Sequence, residues 1–180
     1  MKHIILGVTG SIAAYKAAEL ANLFAKDGHA VNVIMTKSAC QFITPITFQT
    51  LTKRKVYTEQ FDEFQYEDVR HISLAQQANI VLIAPATANI IGKLASGIAD
   101  DMLTTVLMAV QGKPILIAPA MNTAMYENPI TQDNIAKLTR YGYQFIEPKE
   151  SRLACGDLGR GALADVAVIA ARVSELLEER

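Results

Sequence analysis

Five short apolar segments recur along the chain, and longer stretches of helical character separate them. They are HIILGV (3–8), AVNVIMT (30–36), ANIVLIAP (78–85), KPILIAPAM (113–121) and YQFIEP (143–148). Each is nearly continuous in Val, Ile and Leu, which is typical of parallel strands covered on both faces. The alternation predicts an α/β fold: a doubly wound three-layer sandwich with a mostly parallel, Rossmann-like sheet.

The segments between these strands carry helix signals. Ser11 is a predicted N-cap for the first helix, and Gly28 is its predicted stop. Further helices are expected at HISLAQQ (71–77), from about Asn89 to Val110 with a break near Gly97, from Thr131 to Tyr141, and from 164 to the end of the chain. Two stretches do not fit the alternation: the polar residues 52–70 and the glycine-containing residues 149–163, both interpreted as loops.

Length and charge narrow the class of protein. The 180 residues predict a single domain over 1–180, and the formal net charge of −1 gives no reason to expect nucleic acid or a membrane as partner. Two cysteines are too few for a disulfide scaffold. No signal peptide and no apolar run of about 20 residues is found, so a reduced, cytoplasmic protein is expected.

The first strand-to-helix turn, GVTGSIAAYK, has the features of a phosphate site. Gly7 and Gly10 permit a tight turn, and a helix N-terminus favours an anion, although an ordinary βα turn has the same appearance. The dinucleotide pattern G-x-G-x-x-G is absent. The second strand ends in Thr36, Lys37 and Ser38 instead of an acidic residue, so a mononucleotide such as FMN fits better than NAD or ATP.

Four further positions are candidates for chemistry: His71, Asn122, Cys155 and Asp157. His71 begins a predicted helix, where a cap or packing role is the commoner one. Asn122 follows the carboxyl end of the fourth strand, where it can hold a carboxylate or fasten a turn. Cys155 lies in the glycine-rich segment ACGDLGRG, and neither cysteine has the spacing of a metal site. Thr87 or Asn89 can cap the helix after the third strand.

Taken in order, GVTGSIAAYK, HISLA, APATANIIGKLASGIADDMLTT, APAMNTAMYENP and ACGDLGRGALAD resemble the homo-oligomeric flavin-containing cysteine decarboxylases. The resemblance extends from about residue 3 to 175, and PAMN followed by ACGD is its most specific part. It implies a flavin site, with FMN as cofactor, formed by Gly10, Ser11, Ile12, Thr36, Ser38, Phe42, Pro85, Ala86, Thr87 and Asn89.

The same resemblance implies the catalytic residues. His71 matches the family's active-site histidine, Asn122 its asparagine and Cys155 its proton-donating cysteine. The substrate site would comprise His71, Asn122, Ala124, Met125, Ala154, Cys155 and Gly156. Residues 149–163 would form a mobile clamp over the substrate.

Activity and partners also follow from the resemblance. It implies decarboxylation of 4′-phosphopantothenoylcysteine to 4′-phosphopantetheine, with the flavin as transient electron acceptor. It implies a homo-oligomer, a trimer or a dodecamer built from trimers, in which His71 reaches a neighbour's flavin. The alternatives are a peptidyl-cysteine decarboxylase of the lantibiotic-maturing type and a non-catalytic, flavin-binding regulatory subunit.

Two positions depart from the family pattern. Tyr126 stands where the family often has Trp, which preserves an aromatic wall. Ala162 stands where an Arg often follows G-x-G, and Arg160 lies two residues earlier as a possible substitute. How a substrate phosphate is held is therefore left open by the sequence.

Overall fold

A computed structural model describes residues 1–61, 69–152 and 158–179, without the side chains of 151, 152 and 158. Its centre is a six-stranded parallel sheet in the order β3-β2-β1-β4-β5-β6. The strands are β1 (His3–Val8), β2 (Ala30–Met35), β3 (Val56–Tyr57), β4 (Ile80–Ala86), β5 (Ile115–Pro119) and β6 (Gln144–Phe145). This order confirms the doubly wound α/β prediction.

The helices are α1 (Ala14–Lys26), α2 (Pro45–Thr52), α3 (Arg70–Gln77), α4 (Ala88–Ser96), α5 (Met102–Ala109), α6 (Thr123–Tyr126), α7 (Pro129–Arg140) and α8 (Val166–Glu178). A 3₁₀ turn covers Ala39–Gln41. Outside the main sheet, β7 (Lys149–Arg152) pairs antiparallel with β8 (Leu158–Ala162). No helix among the described residues is long and apolar enough to cross a membrane.

Two apolar layers cover the faces of the sheet. Buried residues of α1, α2 and α8 pack with Ile4, Leu6 and Val8 on one side. On the other side, buried residues of α3, α4, α5 and α7 pack with Ile5, Val81 and Ile83. Neighbouring strand residues therefore enter opposite layers, which explains why the strands are continuous in apolar residues.

Gly7 marks a close approach between β1 and α5. A Cβ built on Gly7 would lie 2.7 Å from Cδ1 of Leu103, the second residue of α5. A side chain at position 7 would therefore require the buried Leu103 side chain to move.

Several predicted boundaries hold. α1 ends before Gly28, which has φ +81°, and the predicted helix of 89–110 divides at Gly97, which has φ +69°. Glycine takes this left-handed conformation without steric cost and so ends helices. HISLAQQ is helical, within α3.

Three predictions about local structure are wrong. Ser11 is not the N-cap of α1, because Ala13 holds that position. The Ser11 hydroxyl accepts a hydrogen bond from the backbone N–H of Ala13 at 3.3 Å. Residues 52–70 are not entirely loop, because β3 pairs with the edge of β2. Residues 149–163 are not one aperiodic loop, because β7 and β8 form a hairpin. Glycines in β8 suit a strand that another backbone approaches closely, and this signal was not recognised in the sequence.

Candidate functional site

A cleft of about 570 Å³ opens at the carboxyl edge of the sheet. This is where open α/β sheets bind ligands, and the volume is in the usual range for a small-molecule site. Five of the predicted cofactor residues line it: Gly10, Thr36, Ser38, Thr87 and Asn89. The cleft therefore lies at the predicted phosphate turn.

The β1–α1 turn and the loop after β2 are in direct contact at one end of the cleft. A Cβ on Gly10 would lie 2.4 Å from Cβ of Ser38 and 3.1 Å from its backbone carbon, so only glycine fits. Next to them, the Thr36 hydroxyl accepts a hydrogen bond from the N–H of Ala39. The Ser and Thr hydroxyls, next to the turn that leads into α1, give this end the chemistry of an anion site. Lys37 also lines it and pairs with Glu59 at 3.7 Å.

Thr9 connects the two central strands beneath the cleft. Its hydroxyl donates to the carbonyl of Pro85 at 2.7 Å and accepts from the N–H of Thr87 at 3.1 Å, and the residue is 2% exposed. Thr87 in turn caps α4 by accepting from the N–H of Ile90, as one of the two sequence alternatives proposed. β1 and β4 are thus held together at the point where the strand order reverses.

The far wall of the cleft carries an ion-pair cluster that the sequence analysis missed. The Lys93 ammonium donates to Asp100 at 2.6 Å and to Asp101 at 3.2 Å. The hydrogen bond and charge of Lys93 lower the pKa of the Asp100 carboxyl, and Asp100 raises the pKa of Lys93, so both stay charged near neutral pH. Asp101 also forms a capping box with Thr104 at the start of α5.

Other cleft residues were also missed. The segment after β3 contributes Thr58, Glu59, Gln60 and Phe61, because β3 ends at the same edge of the sheet. Recognising β3 would have found them, since parallel strands bring their carboxyl ends together.

The remaining predicted cofactor residues lie near the cleft without lining it. Ser11 and Ile12 continue the β1–α1 turn, and Ile12 is 61% exposed. Phe42 follows the 3₁₀ turn and is 51% exposed, whereas Pro85 and Ala86 are buried at the end of β4.

The predicted substrate and catalytic residues do not all lie at the cleft. Met125 lines the cleft, and Asn122 and Ala124 belong to the same α6 turn. Asn122 is the N-cap of α6: its Oδ1 accepts from the N–H of Ala124 at 2.9 Å. His71, on α3, does not line the cleft within one chain. Ala154, Cys155, Gly156 and Asp157 lie outside the described residues.

The β7–β8 hairpin packs against the α6 turn through two glycines. The N–H of Met121 donates to the carbonyl of Gly161 at 2.9 Å. A Cβ on Gly161 would lie 2.3 Å from the Met121 carbonyl oxygen, and one on Gly159 would lie 2.2 Å from Oγ1 of Thr123. The structure thus places β8, the strand that follows residues 153–157, directly against the turn that contains Asn122.

Comparison with known proteins identifies the family. Residues 1–178 match the family model described as Flavoprotein. A "Probable phosphopantothenoylcysteine decarboxylase" of Streptococcus mutans is 52% identical over 98% of this chain and 99% of its own length. The "Coenzyme A biosynthesis bifunctional protein CoaBC" of Bacillus subtilis is 50% identical over 91% of this chain, which spans only 40% of that longer protein.

Solved structures agree with these matches. A PPC decarboxylase variant complexed with pantothenoylaminoethenethiol has a TM-score of 0.88 and 34% identity, with 98% of both chains covered. The FMN-dependent cysteine decarboxylase SpaF has a TM-score of 0.86 and 30% identity, covering 99% of this chain and 97% of its own. The chain therefore belongs to the flavoprotein family, in the branch that contains the phosphopantothenoylcysteine decarboxylases.

Proposed function

We propose that this chain is an FMN-dependent decarboxylase that converts 4′-phosphopantothenoylcysteine to 4′-phosphopantetheine in coenzyme A biosynthesis. The observation that carries the proposal is the position of the α6 turn, whose Met125 lines the same cleft as the predicted phosphate turn. The 52% identity with the Streptococcus mutans relative, over nearly the full length of both chains, supports the same reaction.

The cleft fits a mononucleotide. Its Gly10–Ser38 contact, hydroxyls and helix N-terminus suit a phosphate, whereas the carboxylates of Asp100 and Asp101 disfavour a second anion at the far wall. One phosphate at one end and a neutral ring system towards the other match FMN better than a dinucleotide. Of the residues named from the sequence, Gly10, Thr36, Ser38, Thr87 and Asn89 would hold it directly, with Ser11, Ile12, Phe42, Pro85 and Ala86 around them.

A bound flavin supplies a reversible electron sink, which the decarboxylation needs because direct loss of carbon dioxide would leave an unstabilised carbanion. The protein's part is to orient the substrate. The Asn122 amide donates to the substrate carboxylate, and α6 holds that amide through the Oδ1 cap. His71 supports the oxidation step as base or substrate anchor, and Cys155 returns the proton that completes the reduction.

The assembly we propose is a homo-oligomer, either a trimer or a dodecamer of trimers. Within one chain His71 lies on α3 and away from the cleft lining, which is consistent with a role at a neighbour's site. We also propose a single domain over 1–180 with residues 149–163 as the substrate clamp, and a cytoplasmic location.

The direct test uses the purified oligomer. We expect a flavin absorption spectrum after incubation with FMN, and release of carbon dioxide with formation of 4′-phosphopantetheine from the phosphorylated substrate. A colourless protein that takes up no FMN would refute the proposal. FMN binding without carbon dioxide release would favour the regulatory-subunit alternative.

Cysteine variants and a peptide substrate distinguish phosphopantothenoylcysteine decarboxylation from peptidyl-cysteine decarboxylation. Cys155→Ser should still release carbon dioxide but stall at the enethiol, whereas Cys40→Ser should complete the reaction because Cys40 lies on the 3₁₀ turn, outside the cleft lining. Full yield of 4′-phosphopantetheine from Cys155→Ser would remove the proposed role of Cys155. Turnover of a peptide with a C-terminal cysteine, but not of the phosphorylated substrate, would favour a peptidyl-cysteine decarboxylase.

A further inference from the structure

Three side chains from segments that are distant in sequence are in contact beside α6. The Tyr126 hydroxyl donates to Oε2 of Glu147 at 3.2 Å, and the Arg160 guanidinium pairs with the same carboxylate oxygen. The guanidinium also lies over the Tyr126 ring, 5.8 Å from its centroid. We refer to these residues as the Tyr126–Glu147–Arg160 cluster.

The cluster joins three parts of the fold. Tyr126 is the last residue of α6, Glu147 lies between β6 and β7, and Arg160 is the middle residue of β8. Arg160 is flanked by Gly159 and Gly161, the two glycines that pack against Met121 and Thr123. Its side chain therefore leaves the hairpin at the point where the hairpin contacts the α6 turn.

Tyr126 is fixed from both ends. The residue is 7% exposed, and its carbonyl accepts from Nε2 of Gln132 on α7 at 2.6 Å. Burial and the neighbouring Glu147 carboxylate raise the pKa of the Tyr126 hydroxyl, with Arg160 opposing them in part. The hydroxyl consequently remains a proton donor to Glu147 at physiological pH.

From this geometry we infer that Arg160 is a positioning residue, which holds the β7–β8 hairpin against α6 through Glu147 and the Tyr126 ring, and is not a direct ligand of the substrate phosphate. The role in catalysis rests on the proposed function. The cluster contains Tyr126, one of the two departures from the family pattern, and Arg160, the possible substitute for the arginine that Ala162 replaces. Tyr126 has a hydroxyl that donates a hydrogen bond to the Glu147 carboxylate.

The direction in which Glu147→Gln changes KM distinguishes a positioning role of Arg160 from phosphate binding. Glu147→Gln removes the charge that holds Arg160. If Arg160 positions the hairpin, Glu147→Gln raises KM for 4′-phosphopantothenoylcysteine, by about fivefold for a partly exposed charge pair with a stacked guanidinium. If Arg160 were a phosphate ligand, releasing it from Glu147 would leave KM unchanged or lower it.

Companion variants complete the cycle in the FMN-loaded oligomer. Arg160→Ala should raise KM by a similar factor, with kcat and the FMN dissociation constant unchanged. The double variant Glu147→Gln/Arg160→Ala should be no worse than either single one, because both act through one contact. Arg160→Lys should recover part of the loss, since it restores the charge without the planar stacking group.

A matched control is Arg172→Gln on α8, which removes the Arg172–Glu175 ion pair of similar exposure together with the hydrogen bond from Arg172 to Oε1 of Gln144. It should leave KM unchanged. Additive effects of the Glu147 and Arg160 substitutions, or an equal rise in KM for Arg172→Gln, would overturn the inference.

A measurement without substrate keeps the inference separate from the proposed function. Amide hydrogen exchange in 149–152 and 158–162 should be faster in Arg160→Ala and Glu147→Gln than in the parent, with exchange in β1 and β4 unchanged. Unchanged hairpin exchange would overturn the positioning role even if the enzyme assay behaved as expected. Faster exchange in a protein with no decarboxylase activity would leave the hairpin contact standing and refute the function alone.

Discussion

The two ends of the site, proposed to hold the cofactor and the substrate, are built in different ways. The cofactor end belongs to the central sheet: Gly10, Thr36 and Thr87 follow buried parallel strands, and Thr9 ties two of those strands together. The substrate end lies outside the sheet, where a two-stranded hairpin packs on α6 through glycines and an exposed ion pair.

This difference predicts that the two ends respond separately to substitution. Buried strands open only with most of the fold, whereas a hairpin with few buried contacts opens at a low local free energy. Flavin binding should therefore survive changes at the hairpin. Changes beneath the cleft should affect flavin binding before they affect the hairpin.

Asn122→Asp gives the largest expected effect at the substrate end. The new carboxylate can still accept from the N–H of Ala124 and cap α6, but it faces the substrate carboxylate with the same charge. Like-charge contact costs several kcal/mol, so turnover should fall about a thousandfold while FMN binding is retained. Steady-state kinetics and FMN titration measure the two quantities.

Asn128 offers a matched control for that substitution, because it caps α7 through its Oδ1 in the same way. Asn128→Asp should leave turnover unchanged. Normal turnover in Asn122→Asp would count against the carboxylate-binding role.

Gly10→Ala should produce the largest effect at the cofactor end. The added Cβ would meet the Cβ of Ser38 at 2.4 Å, so the phosphate turn and the loop after β2 must separate. We expect the FMN dissociation constant to rise about a hundredfold, the equivalent of a few kcal/mol of lost phosphate contacts. Fluorescence titration of FMN measures it.

Gly92→Ala is the control for a glycine without a close neighbour. Its Cβ would have only Nδ2 of Asn134 nearby, at 3.8 Å, and alanine is the better helix former. FMN affinity equal to the parent in Gly10→Ala would show that the Gly10 contact does not shape the site.

Gly161→Ala should have an intermediate effect confined to the hairpin. Gly161 has φ +154°, and a Cβ there would lie 2.3 Å from the Met121 carbonyl oxygen. We expect KM to rise about tenfold, from loss of the close contact and the strained backbone, with FMN affinity unchanged.

Gly142→Ala separates backbone strain from contact, since Gly142 has φ +89° and open space around it. It should lower stability without raising KM. Loss of FMN binding in Gly161→Ala would mean that the two ends are coupled.

Thr9→Val should act on the stability of the fold beneath the cleft. Valine keeps the shape but leaves the Pro85 carbonyl and the Thr87 N–H without the hydroxyl that pairs with them. The free energy of unfolding should fall by about 2 kcal/mol, as for buried polar groups that lose a partner. Urea unfolding at fixed protein and FMN concentrations measures it.

Thr139→Val is its control, because the Thr139 hydroxyl makes a similar bond to the carbonyl of Ile135 on an exposed helix face. It should change stability by a few tenths of a kcal/mol. Equal losses in the two variants would show that Thr9 has no special place beneath the cleft.

The sequence predicted the sheet and the phosphate turn because their signals are local. Continuous Val, Ile and Leu mark strands buried on both faces, and Gly10 and Gly97 mark backbone that other residues cannot adopt or approach. Strand ends in a parallel sheet share one edge, and this is why the sequence could group Thr36, Ser38, Thr87 and Asn89 at the cleft.

What escaped prediction depends on contacts between distant segments. α2 buries only Phe48, so it has no apolar stripe to find, and β3 is two residues long. The glycines of β8 pack against Met121 and Thr123, and no periodicity in the sequence reveals these contacts. Lys93 reaches Asp100 and Asp101 only because the chain turns back after Gly97.

The close packing at Gly7 has a consequence for one wall of the cleft. A larger residue there would displace the side chain of Leu103 in the first turn of α5. Asp101 caps that turn and pairs with Lys93, and both line the cleft, so Leu103 packs directly beside the far wall. The absence of a side chain at Gly7 thus leaves the space in which Leu103 packs behind one wall of the proposed flavin site.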